Sequence, residues 1–544
     1  MKIIQLSTLN KILKDDPLDY KEFNSFSVLK NERFSYQIAF KNDSDKPVTV
    51  NVTTLSPVKD TLVRREIYCF VNKVGYNPDN VTAEYITHEH TFIPDALHDF
   101  DGTLTVPAGE NAVLLVTLRL DRTAAQAGKY ALRTLCQWDG GKEEKVFVLN
   151  VIDAYLPKQK IMYTNWFHCD AICHTHKVKV FSEEFWALAE KYMLAAHDVG
   201  MNMILTPIIT PPLDTVVGSE RMTVQLVDVT KTENGYEFEF SKLYRWVALA
   251  KKCGMKYFEM AHLFSQWGAK CCPKVVVTVD GKEEKPFGWD VAATDESYRD
   301  FLQQFLTALV KVIKDLGIED QTFFHISDEP HGEEAKAQYL RCKAMVSDAL
   351  KGFRIMDALS DPEYYKEGVI TYPVPVTSTT DKFCEFDLEH RWTYYCCGPT
   401  ENASNRFLAQ HGWVTRALGS QLFKYKIEGF LHWGFNSYFT HLSQVVIDPY
   451  VKIDMDPHLP TGDSYIVYPY GNKVADSLRG QLFYDALQDQ RALDLLAEKL
   501  GHEQVVKMLE DIAGKEIKFY DYPHNGEFIL AWRKAVNDKI KELC

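Results

Sequence analysis

Two periods of apolar and polar positions run along the chain, and one gives way to the other near residue 155. Before that point apolar and polar side chains alternate in short runs, among them Phe34 to Phe40, Val48 to Val52, Val113 to Leu120 and Val146 to Val151. A period of two puts one face of a segment in a core and the other in water, which is the pattern of a half-buried strand. Turn chemistry separates the runs: Asn42-Asp43-Ser44-Asp45-Lys46-Pro47, Pro107-Ala108-Gly109 and Asp139-Gly140-Gly141. In such stretches glycine supplies positive φ, proline pre-sets φ, and Asn or Asp hydrogen-bonds to its own backbone. Short strands with regular turns predict an antiparallel β-sandwich over residues 1–155, and Leu156-Pro157 marks its end.

From about residue 160 short apolar runs alternate with stretches whose apolar residues recur every three or four positions, the sign of βα units around a parallel sheet. Strands are read at 161–167, 201–206, 256–261, 322–327, 354–359, 368–372, 392–396 and 429–433. Eight such units predict an α/β fold with a TIM-type (β/α)8 barrel over residues 156–490. The helices between them are legible. Ser182 caps one whose Phe185, Leu188, Ala189, Tyr192 and Val199 share a face before Gly200. Leu243, Trp246, Val247 and Ala250 repeat the pattern ahead of Gly254, and Thr294 to Leu316 does so ahead of Gly317. Within 222–240, Glu233-Asn234-Gly235 between two alternating runs predicts a hairpin set into a barrel loop. Residues from 476 on read as helices, with 491–544 taken as C-terminal helices packed on the barrel.

Charge and cysteine usage narrow the class of partner. A formal net charge of −14 without a basic block leaves no surface for tracking phosphates, which excludes nucleic acid. Met1-Lys2-Ile3-Ile4-Gln5 opens no sustained apolar region, and no later stretch is apolar for long enough to cross a bilayer. The expectation is a cytoplasmic protein without a membrane partner. Twelve cysteines, with Cys271-Cys272 and Cys396-Cys397 adjacent, read as reduced thiols rather than a disulfide framework. The sequons at Asn42, Asn51, Asn80 and Asn402 then carry no glycan.

Barrel chemistry collects at the carboxyl ends of the strands. The run Gln321-Thr322-Phe323-Phe324-His325-Ile326-Ser327-Asp328-Glu329-Pro330-His331 brings an apolar strand to two adjacent carboxylates there. Glycoside hydrolysis needs one carboxyl group to protonate the leaving oxygen and a second group to manage the positive charge that develops. The plainer alternative is that Asp328 and Glu329 cap the helix that follows. Adjacency also constrains mechanism, since two neighbours on one side of a sugar do not make an acid and an opposed nucleophile. Substrate assistance removes the difficulty: the substrate's 2-acetamido carbonyl attacks the anomeric carbon, Asp328 orients that amide, and Glu329 acts as acid and then base.

The segment Ser327-Asp328-Glu329-Pro330, together with Trp392-Thr393-Tyr394-Tyr395-Cys396, Gly429-Phe430-Leu431-His432-Trp433, Gly462-Asp463-Ser464 and Ser477-Leu478-Arg479, resembles glycoside hydrolase family 123 over most of residues 160–490. The resemblance implies a sandwich, a barrel, β-N-acetylgalactosaminidase-like activity on a glycan or glycoside, and an Asp-Glu pair working by substrate assistance. It implies reaction class better than substrate, and it calls for no cofactor.

Other groups stand near strand ends. His168 and Asp170 follow the first barrel strand, with Cys169, Cys173, His174 and His176 close by; lacking Cys-x-x-Cys spacing, the cluster reads as hydrogen-bonding loop rather than metal site. His262, Gln266 and Trp267 begin a long loop that reaches Trp289 and is expected to wall the substrate, although a tryptophan there equally anchors a loop. Alternation lets one of Tyr394 and Tyr395 face the barrel centre. Tyr395, nearer the mouth, is taken as donor to the acetamido oxygen, the alternative being a tyrosine of the barrel layers. Trp433 is expected to floor the sugar site and Asn436 to bind a hydroxyl, while Asp463 makes a turn. Two competing readings stay open: a carbohydrate-binding protein without catalysis, and a conventional glycosidase drawing on Asp170, Glu259 or Asp357.

Overall fold

In the computed structural model, which describes residues 1–77, 82–453 and 459–544, the period-two segments form two five-stranded sheets. Asn80 lies outside the described residues. One sheet sets Lys2–Ser7, Arg33–Lys41, Asn111–Arg119, Thr61–Phe70 and Phe92–Asp99 side by side. The other sets Ser25–Lys30, Gly141–Tyr155, Gly128–Trp138, Val48–Leu55 and Thr103–Val106 in that order. Their inward residues, such as Tyr36, Ile38, Val50, Leu114, Val116 and Phe147, form one core. The Tyr36 ring stacks on Phe147 at 4.2 Å. The antiparallel expectation needs one correction: Ser25–Lys30 runs parallel to Gly141–Tyr155, with Val28 opposite Val151.

Eight parallel strands follow: Met162–Asn165, Met203–Thr206, Tyr257–Met260, Thr322–Phe324, Arg354–Leu359, Tyr372–Pro375, Trp392–Tyr394 and Gly429–His432. Each pairs with its neighbour in chain order, and the eighth returns beside the first. Between the sixth and seventh there is a single parallel bridge, Val376 to Tyr394, so the sheet is nearly closed. Met203, Leu205, Phe323, Met356, Trp392 and Leu431 fill its interior, while Ile204, Phe258, Phe324 and Phe430 face the surrounding helices. Gly429 makes room for this packing, because a Cβ there would lie 1.9 Å from the Trp392 indole.

Two strands differ from the reading of the sequence. The sixth lies at Tyr372–Pro375 rather than 368–372. Pro373 and Pro375 look like strand breakers, but this strand is at the edge of the ladder, where a missing N–H costs no pairing. The fourth leaves the ladder after Phe324 instead of running to Ser327. The helix cap at Ser182 is as read: its Oγ accepts from Phe185 N at 3.2 Å. The hairpin of Asp228–Thr232 and Gly235–Glu239 is joined by a second, Val275–Val279 with Lys282–Phe287, in a four-stranded sheet. That second hairpin had a signal, Asp280-Gly281, whose φ values of 50° and 77° are those of a tight primed turn.

Helices Leu478–Leu500, His502–Ala513 and Gly526–Leu543 pack against the sandwich as well as the barrel: Leu29, Leu115 and Ile152 share their core with Trp413, Leu482 and Trp532. A buried ion network ties the same seam. Asp489 receives Arg416 Nε at 2.7 Å and Arg533 Nε at 2.9 Å, and Arg533 Nη2 reaches Glu32 of the sandwich at 2.6 Å. Asp489→Ala leaves two guanidinium groups short of a counter-ion inside the protein. We expect a loss of roughly 3–5 kcal/mol in unfolding free energy, as when one partner of a buried pair is removed. A thermal unfolding midpoint equal to that of the parent would show that Asp485 and Glu32 compensate. Among the described residues no helix is long and apolar enough to cross a membrane.

Candidate active site

At the carboxyl ends of the parallel strands lies a pocket with a volume of about 120 Å³, lined by Trp166, Trp267, Asp328, Glu329, Tyr394 and Trp433 among others. Its geometry begins below it, where the fourth strand leaves the ladder at His325. His325 Nε2 lies 2.7 Å from Glu259 Oε1, and Nδ1 lies 3.1 Å from Asp357 Oδ1. Glu259 also receives Trp166 Nε1 at 2.7 Å and the Thr164 hydroxyl. Asp357 also receives the Ile326 amide, at 3.2 Å, and the Tyr339 hydroxyl. Both carboxylates are thus surrounded by donors, an arrangement that favours hydrogen on both ring nitrogens of His325 and so the imidazolium form. Burial opposes that charge, but the hydrogen bonds to Asp357 and Glu259 outweigh it and push the ring up to about 10. His262 stacks on it at 4.2 Å. Burial and the His325 charge hold His262 well below the usual range, so it is neutral.

Above His325 the turn is clamped. Ser327 Oγ donates to the Ser265 carbonyl at 2.8 Å and accepts from Ala269 N at 3.1 Å. Trp267 N donates to the Asp328 carbonyl at 2.8 Å. These bonds carry Trp267, 45% exposed, to the pocket rim. Glu329 sits at φ 40°, a left-handed backbone that costs a non-glycine residue about 1–3 kcal/mol and is held only because the clamp over-determines it. Its carboxylate accepts the Tyr394 hydroxyl.

Both carboxyl groups are raised above the ordinary range. For Asp328 burial is the first cause and the charge of Glu329 the second, opposed by His325. For Glu329 burial is opposed by the Tyr394 hydrogen bond. Two carboxyl groups this close titrate as a pair rather than singly.

Of the residues singled out from the sequence, the structure brings together Asp328, Glu329, Trp267 and Trp433. Five others do not line this pocket. Asp170 is consumed by Arg221, whose Nε and Nη2 lie 2.8 and 2.6 Å from its Oδ2. His168 Nε2 donates to the Trp433 carbonyl, 2.9 Å away, and the residue lines a separate small cavity with Asp170. Burial and the Arg221 charge push His168 down to about 4. Asn436 spends both ends of its amide on the His168 backbone, at 2.9 and 3.1 Å. These three brace the loop that carries Trp433. His262 is buried under Trp166. Tyr395 points outward, packed on Phe430 at 4.9 Å, and Tyr394 takes the inward place, because Trp392 and Tyr394 share the inner face of that strand.

Two other carboxylates, one behind the pocket wall and one on it, were misread or missed. Asp463, read as a turn residue, is buried and accepts the Trp433 indole N–H at 3.0 Å, fixing the ring against the pocket. Burial, opposed by Arg406, pushes Asp463 up to about 7. Asp214, in the loop after the second strand, lines the pocket while accepting the Leu442 amide at 2.9 Å. Nothing in the loop sequence distinguishes it.

The residues His168 to His176 gather no ligand set, since Asp170 and His168 are engaged as described. Among the described residues one cluster, His262, His325 and Asp357, places three donor atoms within 4.8 Å of one another. The His325 nitrogens are both directed at carboxylates, and the two rings lie nearly parallel, at 15°, so their in-plane lone pairs do not converge. The cluster is a hydrogen-bonded charge array rather than a ligand set.

Residues 166–496 match the family model described as glycoside hydrolase 123, catalytic domain. The chain also superposes on the structure of a family 123 glycoside hydrolase from Clostridium perfringens, determined for the details of glycolipid glycan hydrolysis. The TM-score is 0.74 at 14% identity, covering 99% of this chain and 97% of that one, a likeness of fold. A β-D-glucuronidase from Dictyoglomus thermophilum superposes with a TM-score of 0.33 at 7% identity, over 90% of this chain and 97% of that one, and carries no weight. No curated protein sequence matches the chain.

Proposed function

The chain belongs to glycoside hydrolase family 123, and from that membership we propose that it releases a β-linked N-acetylhexosamine, N-acetylgalactosamine above all, with retention and with the substrate's 2-acetamido group as nucleophile. One observation carries the mechanism: two adjacent carboxyl groups share the pocket, while the carboxylates that a conventional pair would draw on are spent elsewhere. Asp170 is bound to Arg221, and Glu259 and Asp357 are clamped to His325. An opposed nucleophile and acid need carboxyl groups about 5–5.5 Å apart across the sugar, which neighbours on one turn do not supply. The nearly closed parallel sheet with its helices is read as a (β/α)8 barrel over about 156–490, between a sandwich at 1–155 and helices at 491–544. All twelve cysteines are free, which fits a reducing compartment such as the cytoplasm. The glycolipid glycans of the Clostridium perfringens relative are the first natural substrates to try.

In the reaction the acetamido oxygen attacks the anomeric carbon as its bond to the leaving oxygen breaks, and Glu329 gives that oxygen its proton. Glu329 then takes a proton from water, whose oxygen attacks the anomeric carbon and opens the oxazolinium ring with the starting configuration restored. Proton placement follows from the pair. In the free pocket the Tyr394 hydroxyl favours an ionised Glu329, which leaves the shared proton on Asp328. A bound acetamido group offers its N–H to Asp328 and its carbonyl to Tyr394. Both changes drive the proton to Glu329, where the leaving oxygen needs it.

A panel of aryl β-glycosides with and without a 2-acetamido group tests this reading, with the first-formed anomer followed by NMR. Turnover restricted to 2-acetamido sugars, with the β product formed first, is expected. Equal turnover of plain 2-hydroxyl sugars, or an α product, overturns it. Tyr394→Phe gives a second check with a definite sign. It removes the donor that opposes burial at Glu329, so that group holds its proton to higher pH. The basic limb of the kcat/KM profile, which reports the free enzyme where Tyr394 still faces Glu329, should move upward while kcat falls about a hundredfold, the order expected for one lost preorganised donor. A limb that stays in place, or moves down, would dissociate Tyr394 from the acid.

A further inference from the structure

The proposed reaction makes no use of a pair of thiols on the pocket wall. Cys396 and Cys397 follow the seventh barrel strand and line the same pocket as Asp328, Glu329 and Trp433, each half-buried. The Cys396 carbonyl accepts from Asn405 Nδ2 at 2.9 Å, which fixes the pair two residues beyond Tyr394. We propose that this vicinal dithiol is a modification site, which a small-molecule disulfide oxidises to a Cys396–Cys397 bond that reversibly disables the pocket. The effect on turnover rests on the glycosidase reading; the bond itself does not.

The chemistry is thiol–disulfide exchange. Cys397 attacks one sulfur of R–S–S–R as a thiolate; that S–S bond breaks and one thiolate leaves, to be protonated by water. The Cys396 sulfur then attacks the Cys397 sulfur, gives up its proton, and expels the second RSH. Two protein thiols are oxidised and one disulfide is reduced to two thiols. The order is set by the site. The adjoining Cys397 thiol, burial and the charge of Glu329 hold the Cys396 thiol well above the usual range, which suits it to resolve rather than to attack.

The consequence for the pocket follows from covalent geometry. Neighbouring Cα atoms lie about 3.8 Å apart across a trans peptide, short of the roughly 4.4–6.8 Å that a disulfide ordinarily spans. The ring closes only if the peptide between the cysteines turns. That peptide carries the carbonyl held by Asn405, and two residues before it stands Tyr394, bonded to Glu329. Closure therefore displaces the acid's partner, and the same strain makes the bond easy to reduce. The other adjacent pair serves as a control: Cys271 is held in a strand bridge to Ala292, and neither Cys271 nor Cys272 lines the pocket.

The test is to expose the full-length protein to excess oxidised glutathione and follow both mass and turnover. The parent should lose the mass of two hydrogens, with the link mapped to Cys396 and Cys397 in peptides. Turnover of an aryl N-acetylgalactosaminide should fall by about a hundredfold, the cost of a misplacement near 1 Å at a reacting centre. Dithiothreitol should restore it. Cys396→Ser should stop at a glutathione adduct on Cys397, and in the Cys396→Ser, Cys397→Ser double variant oxidised and reduced samples should turn over alike, whatever their starting rate. No link between Cys396 and Cys397, or equal oxidative loss in the double variant, overturns the proposal. A link that leaves turnover unchanged removes its regulatory half. Absence of turnover on every glycoside, with the link formed, counts against the glycosidase reading instead.

Discussion

Exchanging Asp328 for asparagine is expected to lower turnover of an aryl N-acetylgalactosaminide by roughly two to four orders of magnitude, the range for one preorganised electrostatic contact. The fold and thermal midpoint should not change, because asparagine has the same shape and the side chain stands half-buried at the pocket wall. What is lost is charge. Asparagine still accepts the acetamido N–H, but it does not stabilise the positive charge of the oxazolinium, an interaction greatest in the transition state. A thiazoline that mimics this intermediate should inhibit the parent and bind the variant much more weakly. The pH profile supplies an independent sign. In the substrate complex Glu329 then ionises more readily without its anionic neighbour, so the basic limb of the kcat profile should move to lower pH, opposite in sign to the shift in kcat/KM expected for Tyr394→Phe. A variant that keeps parental turnover, or a parent indifferent to the thiazoline, would send the search for a nucleophile to Asp214, the other carboxylate on the pocket wall.

Period and turn chemistry made most of the architecture legible, because each barrel strand must bury both faces and each sandwich strand only one. What escaped was decided by tertiary context. Pro373 and Pro375 argue against a strand unless it is known to lie at a sheet edge. The seam between sandwich and terminal helices depends on Arg533 reaching Glu32 from 501 residues away, which no local pattern announces.

In the site, Asp328 and Glu329 were legible because an apolar strand ends in charge, and Trp433 because it closes the last strand. The choice between Tyr394 and Tyr395 failed for a reason of parity. Nearness to the mouth was weighed, when Trp392 had already set the inner face two residues earlier. His168, Asp170 and Asn436 have the residue types of a sugar site, yet their polar atoms are paired among themselves, with Arg221 and with backbone. Asp463 escaped because its role is relational: it matters through the indole of Trp433, 30 residues away.

Glu329→Gln should separate the two half-reactions. As acid, Glu329 matters in proportion to how badly the leaving group needs a proton, so turnover of alkyl or sugar aglycones should fall by about 10²–10⁴-fold. Dinitrophenyl or fluoride leaving groups need little protonation, and their departure should be slowed far less. As base, Glu329 activates the water that opens the oxazolinium, and glutamine lacks that function for every substrate. With an activated leaving group the second step therefore becomes limiting. Azide, an anion that needs no base, should restore turnover and yield the β-glycosyl azide, because it enters from the face that the acetamido oxygen leaves open. The left-handed backbone at Glu329 accepts glutamine as it accepts glutamate, so loss through misfolding is not expected. Equal loss on good and poor leaving groups, with no response to azide in a folded variant, would place the acid elsewhere on the pocket.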